Sequence, residues 1–157
     1  MRTPHAILSP TFRVLCAVVG LLGASVALPD SVRGQTVALH AQVIYAANQP
    51  GGVDTRLGNL AESLQKTFRY SMYQLVDAPR GSAALNQMWR TALPDNRWLE
   101  ITPTVIQDGQ YSLTVRVVGS SGQPSVNTVV RLRRGSTVLV GGPSHQKGVL
   151  IIAISAN

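Results

Sequence analysis

Cysteine is all but missing from this chain of 157 residues. Its one thiol, Cys16, lies in an apolar run near the amino end. If that run is a cleaved leader, the mature chain has no thiol, which excludes disulfides and thiolate metal sites and leaves stability to the core. A lipid-modified cysteine is not expected at Cys16 either, because Arg13 stands three residues before it and the apolar run continues past it. Aromatic residues are scarce at 5%, too thin for a base-stacking surface, so nucleic acid is not an expected partner. Charged residues make up 13% against 45% hydrophobic, the balance of a folded chain, and the length suits one domain. The longest apolar run is about 15 residues, short of the roughly 20 that span a bilayer core, so no transmembrane helix is expected in the mature chain.

Recognisable catalytic patterns are also lacking. There is no Gly-x-Ser-x-Gly, no phosphate loop and no dinucleotide fingerprint. Beyond the leader the polar candidates are His40, His145, the carboxylates and serines mostly in turns, and no three of them stand at metal-ligand spacing. Gly141-Gly142-Pro143 reads as a turn, since neither Lys-Ser/Thr nor a helical pattern follows. The chain is therefore read as a nonenzyme with no catalytic residue, no metal and no cofactor.

What is present begins with an export signal. Arg2, His5 and Arg13 precede VLCAVVGLLGASVAL, which ends in the small residues Ser25 and Ala27. Cleavage after Ala27 gives a signal peptide over 1–27 and a single domain over 28–157; a cut after Gly34 is the alternative. Losing Arg2 and Arg13 takes the formal charge from +7 to about +5, a modest bias toward acidic surfaces. Export without cysteine points to a bacterial periplasmic or extracellular protein, with the outer membrane as a candidate place of association.

Along the mature chain, TVALHAQVIYA (36–46) alternates as a strand, with Val37, Leu39, Ala41, Val43 and Tyr45 on one side and His40 and Gln42 on the other. NQPGGV is a turn. Asp54 then caps a predicted helix over 54–68, whose Leu57, Leu60, Ala61, Leu64 and Phe68 form one apolar stripe. Phe68–Val76 reads as a strand with Tyr70 and Leu75 among its buried residues, 83–93 as another, and PDNR (94–97) as a turn. VLIIAI (149–154), apolar at every position, predicts a strand covered on both faces.

Between these lies RWLEITPTVIQDGQYSLTVRVVGSSGQPSVNTVVRLRRGSTVLVGG (97–142), which alternates through four runs separated by Gly-bearing turns. A three-residue loop from Gln107 to Gly109 pairs Val105 with Tyr111, Pro103 with Leu113, Ile101 with Val115 and Leu99 with Val117. The same register sets Glu100 opposite Arg116 on the other face. A four-residue loop at 120–123 continues with Val117/Val126, Val115/Thr128, Leu113/Val130 and Tyr111/Leu132. A loop at 133–135 then pairs Val130 with Val138. Opposite the apolar face Arg116, Arg131 and Arg133 form a basic stripe, the candidate ligand-binding residues for an anionic partner.

This meander resembles the β domain of bacterial secretins, the outer-membrane pore subunits of secretion and pilus systems. LEITPTVIQDGQYSLTVRVVGSSG matches their apolar Thr-Pro strand, Asp-Gly turn and second alternating strand, and NTVVRLRRGSTVLVGGP matches the hairpin that follows. Thr102-Pro103, Asp108-Gly109 and Val140-Gly141-Gly142 carry the likeness; the turn Arg133-Arg134-Gly135 departs from the family's acidic-Gly turn. The resemblance covers residues 97–143 only, and the chain lacks the family's preceding periplasmic domains, membrane-inserting hairpins and gate. It implies shaping residues rather than catalytic ones.

The expected fold is α+β, mainly β: an antiparallel meander with one amphipathic helix packed on it, after a cleavable signal peptide. The expected function is that of a noncatalytic exported envelope protein, an assembly or accessory component acting through a secretin-like β domain on a protein partner or on itself. The alternative is a binding module for an anionic ligand, a glycan or lipid headgroup, on the basic sheet face.

Overall fold

Alternation organises the first strand, β1 (Thr36–Ala47). In the computed structural model, which describes residues 34–157, Val37, Leu39, Ala41, Val43 and Tyr45 all turn to one side and are buried. The signal peptide, its cut after Ala27 and Cys16 lie outside the described residues. Antiparallel to β1 runs β9 (Gly148–Ala156), from Leu39 opposite Ala156 to Ala46 opposite Val149. β8 (Thr137–His145) pairs with the far side of β9. On the other edge of β1, β2 (Met72–Asp77) pairs with its second half and β3 (Arg80–Ala84) with its first. A second sheet holds β4 (Trp89–Leu93), β5 (Arg97–Gln107), β6 (Gln110–Val118) and β7 (Pro124–Arg133) in chain order.

The two sheets meet through their apolar faces. Val37, Leu39, Ala41, Val43, Tyr45 and Ala47 of β1 and Leu150, Ile152 and Ile154 of β9 pack in one cluster with Leu99, Ile101, Leu113, Val115 and Val117 of the second sheet. Each fully buried aliphatic side chain is worth about 1.5–3 kcal/mol of transfer. Burial of these faces, rather than any polar contact, therefore holds the layers together. Strand β9 is covered on both faces as its composition demands: Ile151 and Ala153 point away from the sheet interface into a second cluster with Ile44, Ala46, Leu57, Leu64 and Tyr73.

That second cluster is where the helix lies, and here the structure corrects the expectation. The apolar stripe covers the outer side of the first sheet, not the meander. The reason is chemical: the outer face of the meander presents Glu100, Arg116, Thr102 and Thr114, whereas β1 and β9 offer Ile44, Ala46, Ile151 and Ala153. The helix is also shorter than its pattern. Asp54 accepts a hydrogen bond from the Arg56 amide and caps a 3-10 turn at Thr55–Leu57; Gly58 then adopts φ 49°, ψ −128°, and α1 restarts at Leu60–Thr67. Tyr73, rather than Tyr70 or Leu75, is the fully buried residue of β2. Its hydroxyl donates to the Phe68 carbonyl at 2.6 Å and so ties the end of α1 to the sheet.

Other departures have equally local causes. Residues 83–93 do not form one strand: the chain turns at Asn86, at φ 60°, and passes from β3 in one sheet to β4 in the other. The hairpin between β5 and β6 keeps the expected pairs from Leu99/Val117 to Pro103/Leu113, including Glu100/Arg116, but closes through a two-residue turn. Asp108 and Gly109 both take positive φ, 50° and 72°, the geometry of a primed turn matched to strand twist. A bulge at Thr104 absorbs the extra residue, so Ile106 pairs with Tyr111 and Val105 is turned out beside Ser112. All four pairs expected between β6 and β7 are present. Val130/Val138 is not: β8 leaves the meander, and Gly141-Gly142-Pro143, expected to be a turn, lies within β8, which continues through a bulge up to His145.

Candidate functional site

Because β8 crosses to the first sheet, β7 is left as an edge strand ten residues long with β6 as its one sheet neighbour among the described residues. Along it Ser125, Asn127, Val129, Arg131 and Arg133 are exposed, and Val129 is 60% exposed, the most open large apolar side chain among the described residues. Where β7 ends and β8 begins, the diverging edges of the two sheets leave an open groove of about 490 Å3. Val105 and Val138 supply apolar surface beside the buried Tyr111 and Leu132, and Arg131, Arg133 and Ser112 supply polar groups.

The three arginines picked out by sequence do share the outer face, but the structure does not keep them together. Arg116 lies within 3.4 Å of the Glu100 carboxylate, which Arg90 approaches from β4 at 3.5 Å. Arg90 in turn stacks 4.3 Å over the Trp98 ring. Glu100 is nearly buried between the two cations, so Arg116 belongs to a cross-strand ladder in the middle of the sheet. Arg131 and Arg133 are four and six residues further along β7 than Asn127, the partner of Arg116. Neither has a carboxylate within ion-pairing distance among the described residues.

A fourth cation, Arg134, was not singled out by alternation because it falls in the turn. Its Nε donates to the Tyr111 hydroxyl at 3.1 Å, and it lines a smaller cleft beside the Asp108-Gly109 turn. The signal that would have found this end of the molecule is plain in the composition: from residue 109 to 157 the chain carries four arginines and one lysine and no carboxylate side chain. Ser112 was likewise passed over. It stands between Val105 and Arg131 on adjacent strands and is 9% exposed.

The histidines occupy opposite ends of the first sheet, His40 opposite Ser155 and His145 opposite Gly148, about 23 Å apart along β9. His145 is no loop residue. Its Nδ1 is 2.6 Å from Asp95 Oδ2 and its ring meets Tyr45 edge-on at 5.4 Å. Arg97 reaches the Ser144 carbonyl at 2.8 Å and Asp95 at 3.7 Å. The hydrogen bond from His145, followed by the His145 and Arg97 charges, holds the Asp95 carboxyl below its usual range. Positive φ at Asp95 and Asn96 places this carboxylate at the tip of the β4–β5 turn, so the pair latches one sheet to the other. No hydroxyl bonds to His145 among the described residues. His40 Nε2 is buried without a partner, and burial, with the Arg80 charge, lowers its pKa. No group of three candidate metal ligands occurs among the described residues, and none of their helices is long and apolar enough to cross a membrane.

Comparison with family models, curated proteins and solved structures finds no match for this chain.

Proposed function

We propose that this is a noncatalytic exported protein of the bacterial envelope, an assembly or accessory component that works through surface contacts of its β domain. The observation that carries the reading is the free edge of β7, ten residues long and open beside a groove. An unpaired strand edge presents a row of amide donors and carbonyl acceptors to another chain, and natural proteins usually blunt such an edge when it has no use. Pro124 at its start and the outward arginines blunt it only in part, since Val129 stands exposed at its middle. The likeness in sequence of residues 97–143 to secretins, of which residues 97–133 fold as the meander, supports an envelope setting. Among the described residues neither His145 nor His40 bonds to a hydroxyl or joins a cluster of metal-ligand residues, which supports a role without catalysis.

Light scattering of the eluting protein across a range of concentrations tests self-assembly. Oligomers that persist in high salt and dissociate in a Val129→Asp variant are expected. A monomer at every concentration, together with no shared envelope partner lost on Val129→Asp in crosslinking of native cells, ends the reading. A second reading, a binding module for an anionic ligand, is favoured by one specific observation: Arg131 and Arg133 border the groove with no carboxylate at ion-pairing distance among the described residues. Retention on a sulfate-ester column that weakens sharply in the Arg131→Ser/Arg133→Ser double variant is its test.

A further inference from the structure

We infer that the groove between β7 and β8 is a binding site for an anionic amphiphile, a phosphate or sulfate ester carried on an apolar body. The inference deepens the anionic-ligand reading and rests on it. Arg131 and Arg133 are two residues apart on one strand, so both guanidinium groups leave the same face, with Cα atoms about 7 Å apart. That spacing lets two planar donors reach one tetrahedral oxyanion. Unlike Arg116, neither has an ion-pair partner among the described residues. Ser112 adds a separate indication. It lines the groove, faces Arg131 across the ladder and is 9% exposed, yet its hydroxyl makes no hydrogen bond among the described residues. Its oxygen is not sealed from solvent, so it is free to donate to an ester oxygen in the groove.

The rest of the lining decides between a bare anion and an amphiphile. Val105, 46% exposed, and the half-buried Val138 present apolar surface in the same groove, beside the buried side chains of Tyr111 and Leu132. Its volume of about 490 Å3 exceeds what a lone phosphate needs and falls in the range of pockets that hold small organic ligands. Cations on the rim and hydrocarbon on the floor match a headgroup with a chain or ring attached. An acidic polypeptide strand on the β7 edge would meet the arginines too, but would leave the apolar floor unused.

The test is calorimetric titration of the purified protein with monooctyl phosphate below its micelle concentration. Inorganic phosphate, octyl glucoside, polyglutamate and phosphatidylglycerol vesicles serve as comparison probes. One octyl phosphate per chain is expected, with affinity at least about tenfold above that for inorganic phosphate or octyl glucoside, because both parts of the ligand contribute. Affinity should fall about tenfold in Arg131→Ser/Arg133→Ser and measurably in Ser112→Ala. It should stay within about twofold in Arg69→Ser/Lys147→Ser, which removes the same charge elsewhere. Vesicle binding with the same variant pattern assigns the ligand to a lipid surface, and its absence beside octyl phosphate binding assigns it to a soluble amphiphile; both support the site. Equal loss in the two double variants, octyl phosphate no better than inorganic phosphate, or tighter binding of polyglutamate overturns it. If the sulfate-ester column still retains the protein through Arg131 and Arg133 while octyl phosphate does not bind, the amphiphile inference fails alone. If retention is also lost, both readings fail.

Discussion

Gly148 opens β9 directly after the tight Gln146-Lys147 turn that follows His145, and the strand packing leaves it no room for a side chain. A Cβ placed there lies on the Ala46 carbonyl oxygen, 2.9 Å from the Ala46 carbonyl carbon and 2.8 Å from Ala47 Cβ. Two of these are backbone atoms of the neighbouring central strand, so no rotamer change relieves the overlap. Either β9 moves away from β1 or the β8–β9 turn tilts. Overpacking of this kind costs about 1–3 kcal/mol, and the rigid partner places Gly148→Ala near the upper figure, about 3 kcal/mol. For a folded unit of this size that is a fall in melting temperature of roughly 10 °C. It is also a sizeable share of the 5–15 kcal/mol of total stability typical of such domains.

Gly119→Ala is the control, because a Cβ there meets nothing within 4 Å and its φ is not positive. It should be neutral, or stabilise by up to about 1 kcal/mol through the unfolded chain. Urea denaturation followed by tryptophan fluorescence reads both variants, with the midpoint shifting and the slope unchanged. Because His145 pairs with Gly148 across the turn, the same substitution should displace the His145–Asp95 hydrogen bond, visible as a shift of the His145 ring resonances. A Gly148→Ala protein within about 0.5 kcal/mol of the parent would refute the reasoning, since it would mean that the two central strands are not packed as closely as described.

Acid stability should depend on two carboxylates. Asp54 and Asp95 both have folded-state pKa values below their unfolded value of 3.8, Asp54 through its hydrogen bonds with Arg56 and Asp95 through that from His145. Each contributes stability that is present above the unfolded value and lost as pH falls through the folded one, so Asp54→Asn and Asp95→Asn should flatten the melting curve below about pH 4. An unchanged acid limb in both would contradict the assignment. His40 acts higher on the scale: burial and Arg80 lower its pKa from 6.5, so folding holds it neutral and stability declines as pH drops below 6.5. His40→Gln should remove that decline without altering the acid limb, as read by thermal melts at half-unit pH steps.

How far the fold could be read depended on whether a segment's neighbours were also its neighbours in sequence. The pairs from Leu99/Val117 to Pro103/Leu113, and those that align Val117 with Val126 and Tyr111 with Leu132, were legible because short turns join the strands and alternation allows one register. Asp108-Gly109 was misjudged as part of a longer loop because a bulge and a shorter turn give the same register at the far end of the hairpin. Ile151 and Ala153 could be known to need cover, but not from what. The candidate site divided in the same way: Arg131 and Arg133 were visible as outward residues of one strand. The groove was not, because it exists only where β8 departs from β7.

From the order of residues alone came the strand faces, the burial of both sides of β9 and the mainly β class, since each follows from a repeat of two along a short stretch or from an unbroken apolar run. Which strand lies beside which across a long gap was settled only by the folded chain. It depended on competition among apolar faces: β9 was most fully covered by taking β1 and β8 as neighbours and the helix as its roof. The same competition drew β8 from the meander, exposed the β7 edge, and separated Arg116, neutralised by Glu100, from the unpaired arginines at the groove.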